Sequence, residues 1–257
     1  MTSPDSLQGA GDRLYTAFAS VPKPATIEGC SHCWNEREQA ALLAPVPLRE
    51  LSADSLRPYL ASVMSTIGSE ADFRYFLPRL LEIACTTGFN FPELDHVLSR
   101  LAIAGCADWA PEERQAIREL EQILWTRTLA TYPSDVDAED LLFAIGLAEP
   151  DLTPHLNEWT ASLRQPAAAA HLADLQIYAP ELLHSMLGPV EPPASDLRQQ
   201  MLRWSISPEV RRAVAEAVDF ADSEEALQVL VGIDGYFSEY DEVMARQSRR
   251  SFSTILG

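Results

Sequence analysis

The sequence predicts an all-α protein, an array of antiparallel helix pairs stacked in the irregular manner of HEAT or armadillo repeats, with an irregular helical bundle as the alternative. Three observations lead there. Apolar residues recur three and four positions apart in almost every segment, the spacing of one helical face. Alternating apolar and polar runs, which would mark strands, are hard to find. Proline, glycine and serine interrupt the pattern at intervals of roughly ten to twenty residues, the length of ordinary helices in globular proteins.

Taken in order, the first amphipathic helix covers roughly Leu7 to Ser20, with Leu14, Tyr15, Phe18 and Ala19 along one side. It ends before Pro22 and Pro24, because proline disfavours helical geometry in the residue before it. Val21 to Glu28 is a loop leading into Gly29-Cys30-Ser31-His32-Cys33-Trp34, all within a proline-rich stretch at 21–47. A short helix from about Asn35 to Ala44 stops at Pro45 and Pro47. Ser52-Ala53-Asp54-Ser55-Leu56 opens a helix to about Ile67, with Gly68 as its stop. Ser69 to Asp72 has the form of a capping box with Asp in the last place. The helix it opens carries Phe73, Phe76, Leu77, Leu80, Leu81 and Ala84, with Pro78 as a kink or break. Phe91-Pro92-Glu93 starts the next, proline being well tolerated at a first helical position, and it runs to Gly105. Asp108 or Ala110-Pro111 opens a long helix to about Thr131, ended by Pro133. Further helices are expected at Asp137 to Ala148, Thr153 to Leu163, Pro166 to Gly188 with an interruption at Pro180, Ala194 to Ser205, Pro208 to Ala221, and Ser223 to Gln247. An echo between Phe91-Pro92-Glu93-Leu94-Asp95-His96 and Ala179-Pro180-Glu181-Leu182-Leu183-His184 supports the repeat reading. One all-helical domain spans 1–257, with a subdivision near 133–136.

Composition bounds the function classes. With 47% hydrophobic and 22% charged residues over 257 positions, the chain has ample material for a core, which excludes wholesale disorder. It carries 38 acidic against 19 basic residues, a net charge of −19. That argues against nucleic acid, whose binding rests on many Lys and Arg contacts to phosphate, and against an anionic membrane surface. No window approaches the apolar length of a membrane-spanning helix. The first residues lack the basic and apolar parts of a secretory signal, and four scattered cysteines do not make a disulfide framework. The expected compartment is a reducing cytoplasm. Of the basic residues only Lys23 is lysine, the rest arginine, and Ala and Leu are abundant, a bias of high-GC bacterial genes.

The most chemically suggestive element is Cys30-Ser31-His32-Cys33. Two thiolates at this spacing can share a tetrahedral zinc ion, with His32 between them, so Cys30, Cys33 and His32 are the candidate metal ligands. A closed site needs more ligands, and Cys85, Cys106, His96 or a carboxylate would have to be brought in by the fold. Two alternatives stand beside zinc. Cys33 can be a reactive thiol at the start of the helix that follows it, or the cysteines and Trp34 simply pack against the core. Glu93-x-x-His96 and Glu181-x-x-His184 have the spacing used by di-iron carboxylate bundles. Each also follows a proline at a helix start, where a carboxylate is favourable on electrostatic grounds alone. Ser134 to Asp140 resembles the opening of a calcium loop, but Asp140 stands where that loop needs glycine. No phosphate-binding glycine loop, nucleophile elbow or HExxH motif is present.

Acidity is unevenly spread. No basic residue lies between Arg127 and Arg164, where Asp135, Asp137, Glu139, Asp140, Glu149, Asp151 and Glu158 accumulate. A second such interval runs from Arg212 to Arg246, with Glu216, Asp219, Asp222, Glu224, Glu225, Asp234, Glu239, Asp241 and Glu242. Such tracts either keep a solvated face soluble or attract a basic partner.

The string Ile27-Glu28-Gly29-Cys30-Ser31-His32-Cys33, followed by Asp72-Phe73-Arg74-Tyr75-Phe76-Leu77-Pro78-Arg79, resembles a group of uncharacterised bacterial all-helical proteins. The resemblance implies no activity and carries no catalytic residues across. The sequence-based expectation is therefore a non-enzymatic helical scaffold that binds a basic protein through acidic faces, like an immunity protein or antitoxin. The alternative is a zinc-binding protein using the Cys30/Cys33 element, or, behind it, a di-iron enzyme.

Overall fold

Serine and asparagine ahead of the apolar runs become helix caps in the computed structural model, which describes residues 6–30, 34–89, 94–186 and 194–255. Ser6 accepts from the Gly9 N–H, Ser52 from Ser55 and Ser207 from Val210. Asn35 with Glu38, and Ser69 with Asp72, form complete capping boxes, satisfying donors that the first helical turn leaves without partners. The result is all-α. Among the described residues there are twelve α-helices and no strand: α1 Leu7–Ala17, α2 Glu36–Leu42, α3 Ala53–Ser62, α4 Glu70–Ala84, α5 Leu94–Ile103, α6 Pro111–Ala130, α7 Ala138–Ala148, α8 Thr153–Ser162, α9 Pro166–Met186, α10 Ala194–Ser205, α11 Pro208–Val218 and α12 Glu224–Ile255. None is long and apolar enough to cross a membrane.

The chain divides into two compact units, one of Met1–Thr126 with Asp140–Pro150, the other of Arg127–Glu139 with Asp151–Gly257. In the first, α4 is the central helix and touches α1, α3, α5 and a single 3-10 turn at Leu48–Glu50. Phe73, Phe76, Leu77, Leu80 and Leu81 of α4 are fully buried against Leu14, Leu56 and Tyr59. Pro78 sits inside α4 without breaking it. The start of α6 is fastened to α4 by Arg74, which grips both oxygens of the buried Glu113 at 2.9 and 2.8 Å. Glu113 also accepts the Ala110 N–H at the helix start, and the Trp109 indole donates to Glu70 at 2.8 Å.

Several elements depart from the sequence reading: α4 runs unbroken past Pro78, α9 past Pro180 and α12 on to Ile255, and α3 stops early. Helix α3 ends at Ser62 rather than near Ile67, because a loop claims the backbone groups beyond it. The Cys30 N–H donates to the Thr66 carbonyl, the Gly68 N–H to Glu28, and the Met64 N–H to Ile67. Gly29 and Ile67 form an isolated antiparallel bridge, and Met64 takes a left-handed φ of 63°. β-Branched Val63 and Ile67 suit this extended path better than a helix.

In the second unit α9 is continuous from Pro166 to Met186 and packs on α8, α10 and α12, while α11 packs on α12 and α8. Trp159 is fully buried, donates to the Ala168 carbonyl at 2.9 Å and stacks obliquely on Trp204 with centroids 4.6 Å apart. Helix α12 buries Ala226, Leu230, Ile233 and Phe237 along one stripe, the four-three-four spacing that a helix needs to present one apolar face.

Gly68 holds a φ of +69°, and a Cβ there would lie 2.9 Å from the Tyr59 ring. Gly68→Ala is expected to destabilise the fold by about 1–3 kcal/mol through backbone strain and ring displacement. Chemical denaturation checks this; an unchanged midpoint would show that the turn relaxes freely.

Candidate functional site

Cys30 is solvent-exposed at the edge of the loop that meets Thr66 and Ile67. Its carbonyl accepts the Trp34 N–H at 3.0 Å. His32 and Cys33 lie outside the described residues. Of the more distant ligands considered, Cys85 is half-buried at the C-terminal end of α4 and Cys106 is buried in a 3-10 turn at Cys106–Asp108. Among the described residues no three His, Cys, Asp or Glu side chains are grouped so as to hold a metal. The same corner contains Trp34 packed edge-on to Tyr59, centroids 6.3 Å apart. Both rings are buried, and neither Trp34 Nε1 nor Tyr59 Oη finds a hydrogen-bond partner among the described residues.

The two Glu-x-x-His pairs cannot be assembled from what the structure describes. Glu93 lies outside the described residues, as do the side chains of Glu181 and His184. His96 is placed: its Nε2 lies 3.2 Å from the Leu60 carbonyl and 3.1 Å from Arg100 Nη2. Burial, then the neighbouring Arg100 charge, lower its pKa, and its contact with Leu60 joins α5 to α3. His171 Nε2 lies 3.1 and 3.0 Å from the carbonyls of Thr128 and Thr131, with the Tyr132 ring edge-on to it. It ties the end of α6 to α9 within the second unit.

A perturbed group that belongs to no sequence motif sits on α6. Glu121 is only 3% exposed, and its Oε1 has no hydrogen-bond partner among the described residues. Burial, reinforced by the negative charge of Glu149, pushes its carboxyl up to about 8. The Cys106 thiol nearby is pushed up to about 11, chiefly by burial and then by Glu121 and Glu149, which keeps it protonated and poorly nucleophilic. The signal was present in the sequence: Glu121 stands four residues after Ile117 and four before Trp125, on the buried face of its helix.

The acidic intervals prove unlike each other. In the first, Glu149 pairs with Arg118, Asp135 approaches Arg127 at 3.8 Å, and Asp151 accepts the Thr153 N–H at 3.0 Å. In the second, Arg211 takes Asp241, Arg246 takes Glu242 and Arg164 takes Glu216. Asp219, Asp222, Glu225, Asp234 and Glu239 there are exposed and form no ion pair with a described residue. Among them stand exposed apolar side chains, Phe220 at 60%, Val231 at 58% and Leu227 at 40%.

Comparison with known proteins returns no matching family model, curated protein or solved structure.

Glu121 gives a pH test with a definite sign. The folded state keeps its proton up to about pH 8, while the unfolded chain loses it near 4.5, so the folded form binds more protons between those values. Stability therefore falls as pH rises through that window. Glu121→Gln removes the titration, and its advantage over the parent is expected to grow by roughly 2–4 kcal/mol between about pH 5 and pH 9. Urea unfolding of both chains at the two pH values checks it; parallel profiles would refute it.

Proposed function

We propose that this protein is a non-enzymatic helical scaffold that binds a basic protein in the cytoplasm, an immunity- or antitoxin-like acidic partner, through the acidic face of its second unit. The observation that carries this reading is the set of exposed carboxylates on α12 and on the connection before it, Asp219, Asp222, Glu225, Asp234 and Glu239, that form no ion pair with any described residue. The chain does pair its charges elsewhere: Arg13 meets Glu119, Arg49 meets Asp12 and Arg118 meets Glu149. Uncompensated carboxylates in one place repel one another and lower stability slightly, and a cationic partner relieves that repulsion on binding. The packing of α8 on α9, α11 on α12, α8 on α11 and α9 on α12 fits stacked helix pairs, the arrangement that presents long binding faces in repeat proteins.

The test is affinity capture at low ionic strength followed by binding measurements on the purified partner. Raising salt from about 0.05 to 0.5 M is expected to weaken the complex at least tenfold, since the screening length of surface charges falls from about 14 to about 4 Å over that range. The combined change Asp219→Asn, Asp222→Asn, Glu225→Gln, Asp234→Asn and Glu239→Gln should reproduce the loss at low salt. Neutralising Glu36 and Glu38 of the first unit should not. A complex indifferent to salt and to both sets of changes would defeat the reading.

A further inference from the structure

A dent in the second unit opens between the α8–α9 connection and the α11–α12 connection. Its lining includes the buried Leu163, Ala169, Ala217, Ala226 and Leu230. It is a shallow depression open to solvent at its mouth, with room at its floor for the tip of one aliphatic side chain and no enclosed volume for a small-molecule ligand. Phe220 stands at the rim, still 60% exposed although the Arg164 guanidinium lies 4.5 Å from its ring centroid. Residues 216–225 hold five carboxylates and no basic residue. Among the described residues Arg164 is the one cation lining the dent, and it is paired with Glu216 at 3.0 Å. Leu227 and Val231, both exposed, follow directly after the Ala226 and Leu230 of the dent on α12.

We propose that this dent is the anchor point of the acidic face, and that its occupant is a cationic segment of the partner protein inserting one apolar side chain beside Phe220. This rests on the scaffold reading and names its contact. The chemistry selects the occupant. The small buried side chains of the floor leave room for an aliphatic group, and an exposed aromatic side chain is the type that supplies an interface anchor. The surrounding carboxylates demand Lys or Arg close to that anchor and reject an anionic peptide or an anionic lipid surface. A second copy of the chain is a poor occupant, because two molecules of charge −19 repel as they approach.

The probe is a fluorescein-labelled 16-residue amphipathic peptide of lysine and leucine, compared with a lysine-only peptide of equal length, titrated against the full chain. The lysine–leucine peptide should bind at least tenfold more tightly than the lysine-only one. Phe220→Ala should abolish most of that difference while leaving the lysine-only affinity unchanged, and Asp222→Lys with Glu225→Lys should weaken both peptides. Because Phe220 is exposed, the variant is expected to keep its thermal midpoint. Equal binding of the two peptides, or no response to Phe220→Ala while the charge reversals still act, overturns the anchor and leaves the acidic scaffold standing. No response to the charge reversals overturns both. Sedimentation of the chain as a dimer that Phe220→Ala dissociates also overturns the proposal, in favour of a second copy.

Discussion

Every helix exposes amide donors at its start and carbonyl acceptors at its end that have no partner within the helix. A chain that breaks its fold into many short helices must satisfy those groups repeatedly, and a set of its serines and carboxylates, together with Asn35, is used for that purpose. Ser69, Asn35, Ser52 and Ser207 cap helices directly. Glu38 and Asp72 complete capping boxes, and Glu113 joins the start of α6 to Arg74 of α4. Part of the acidity is therefore structural. Carboxylates gather at helix starts because the aligned peptide dipoles favour negative charge there.

The same constraint explains how much was legible. Caps and apolar periodicity are local properties, so the order and approximate limits of the helices could be read from residues alone. The reading failed where a distant segment intervened: the backbone of residues 28–30 takes the hydrogen bonds of residues 66–68, and nothing between Ser52 and Ile67 announces that. Pro78 misled in the opposite direction. Proline in a helix interior forfeits one hydrogen bond, and its place in the buried face of α4 offsets that loss. The candidate site was less legible still. Cys30, His96 and Cys106 carry metal-ligand chemistry by residue type; in the fold His96 reaches across to α3, Cys106 is buried and Cys30 stands at the surface. Phe220 drew no notice in the sequence, since one aromatic residue between acidic neighbours has no periodicity to mark it.

Burial sorts the carboxylates into three kinds. Glu113 is buried and gripped by a guanidinium, Glu121 is buried without a cation in contact, and those around the α11–α12 connection are solvated. The first kind holds helices together. The second makes the protein's stability answer to pH, because removing a carboxylate from water favours its neutral form. The third costs little in water and leaves a field that reaches outward over about a Debye length. A formal charge of −19 thus overstates what an approaching molecule meets in some places and describes it well in others.

Arg164 lies over one face of Phe220 while paired with Glu216. One ordered side chain thus serves two contacts, so the rotamer entropy of fixing a long arginine is lost once rather than twice. Through it the α8–α9 connection is braced against the end of α11.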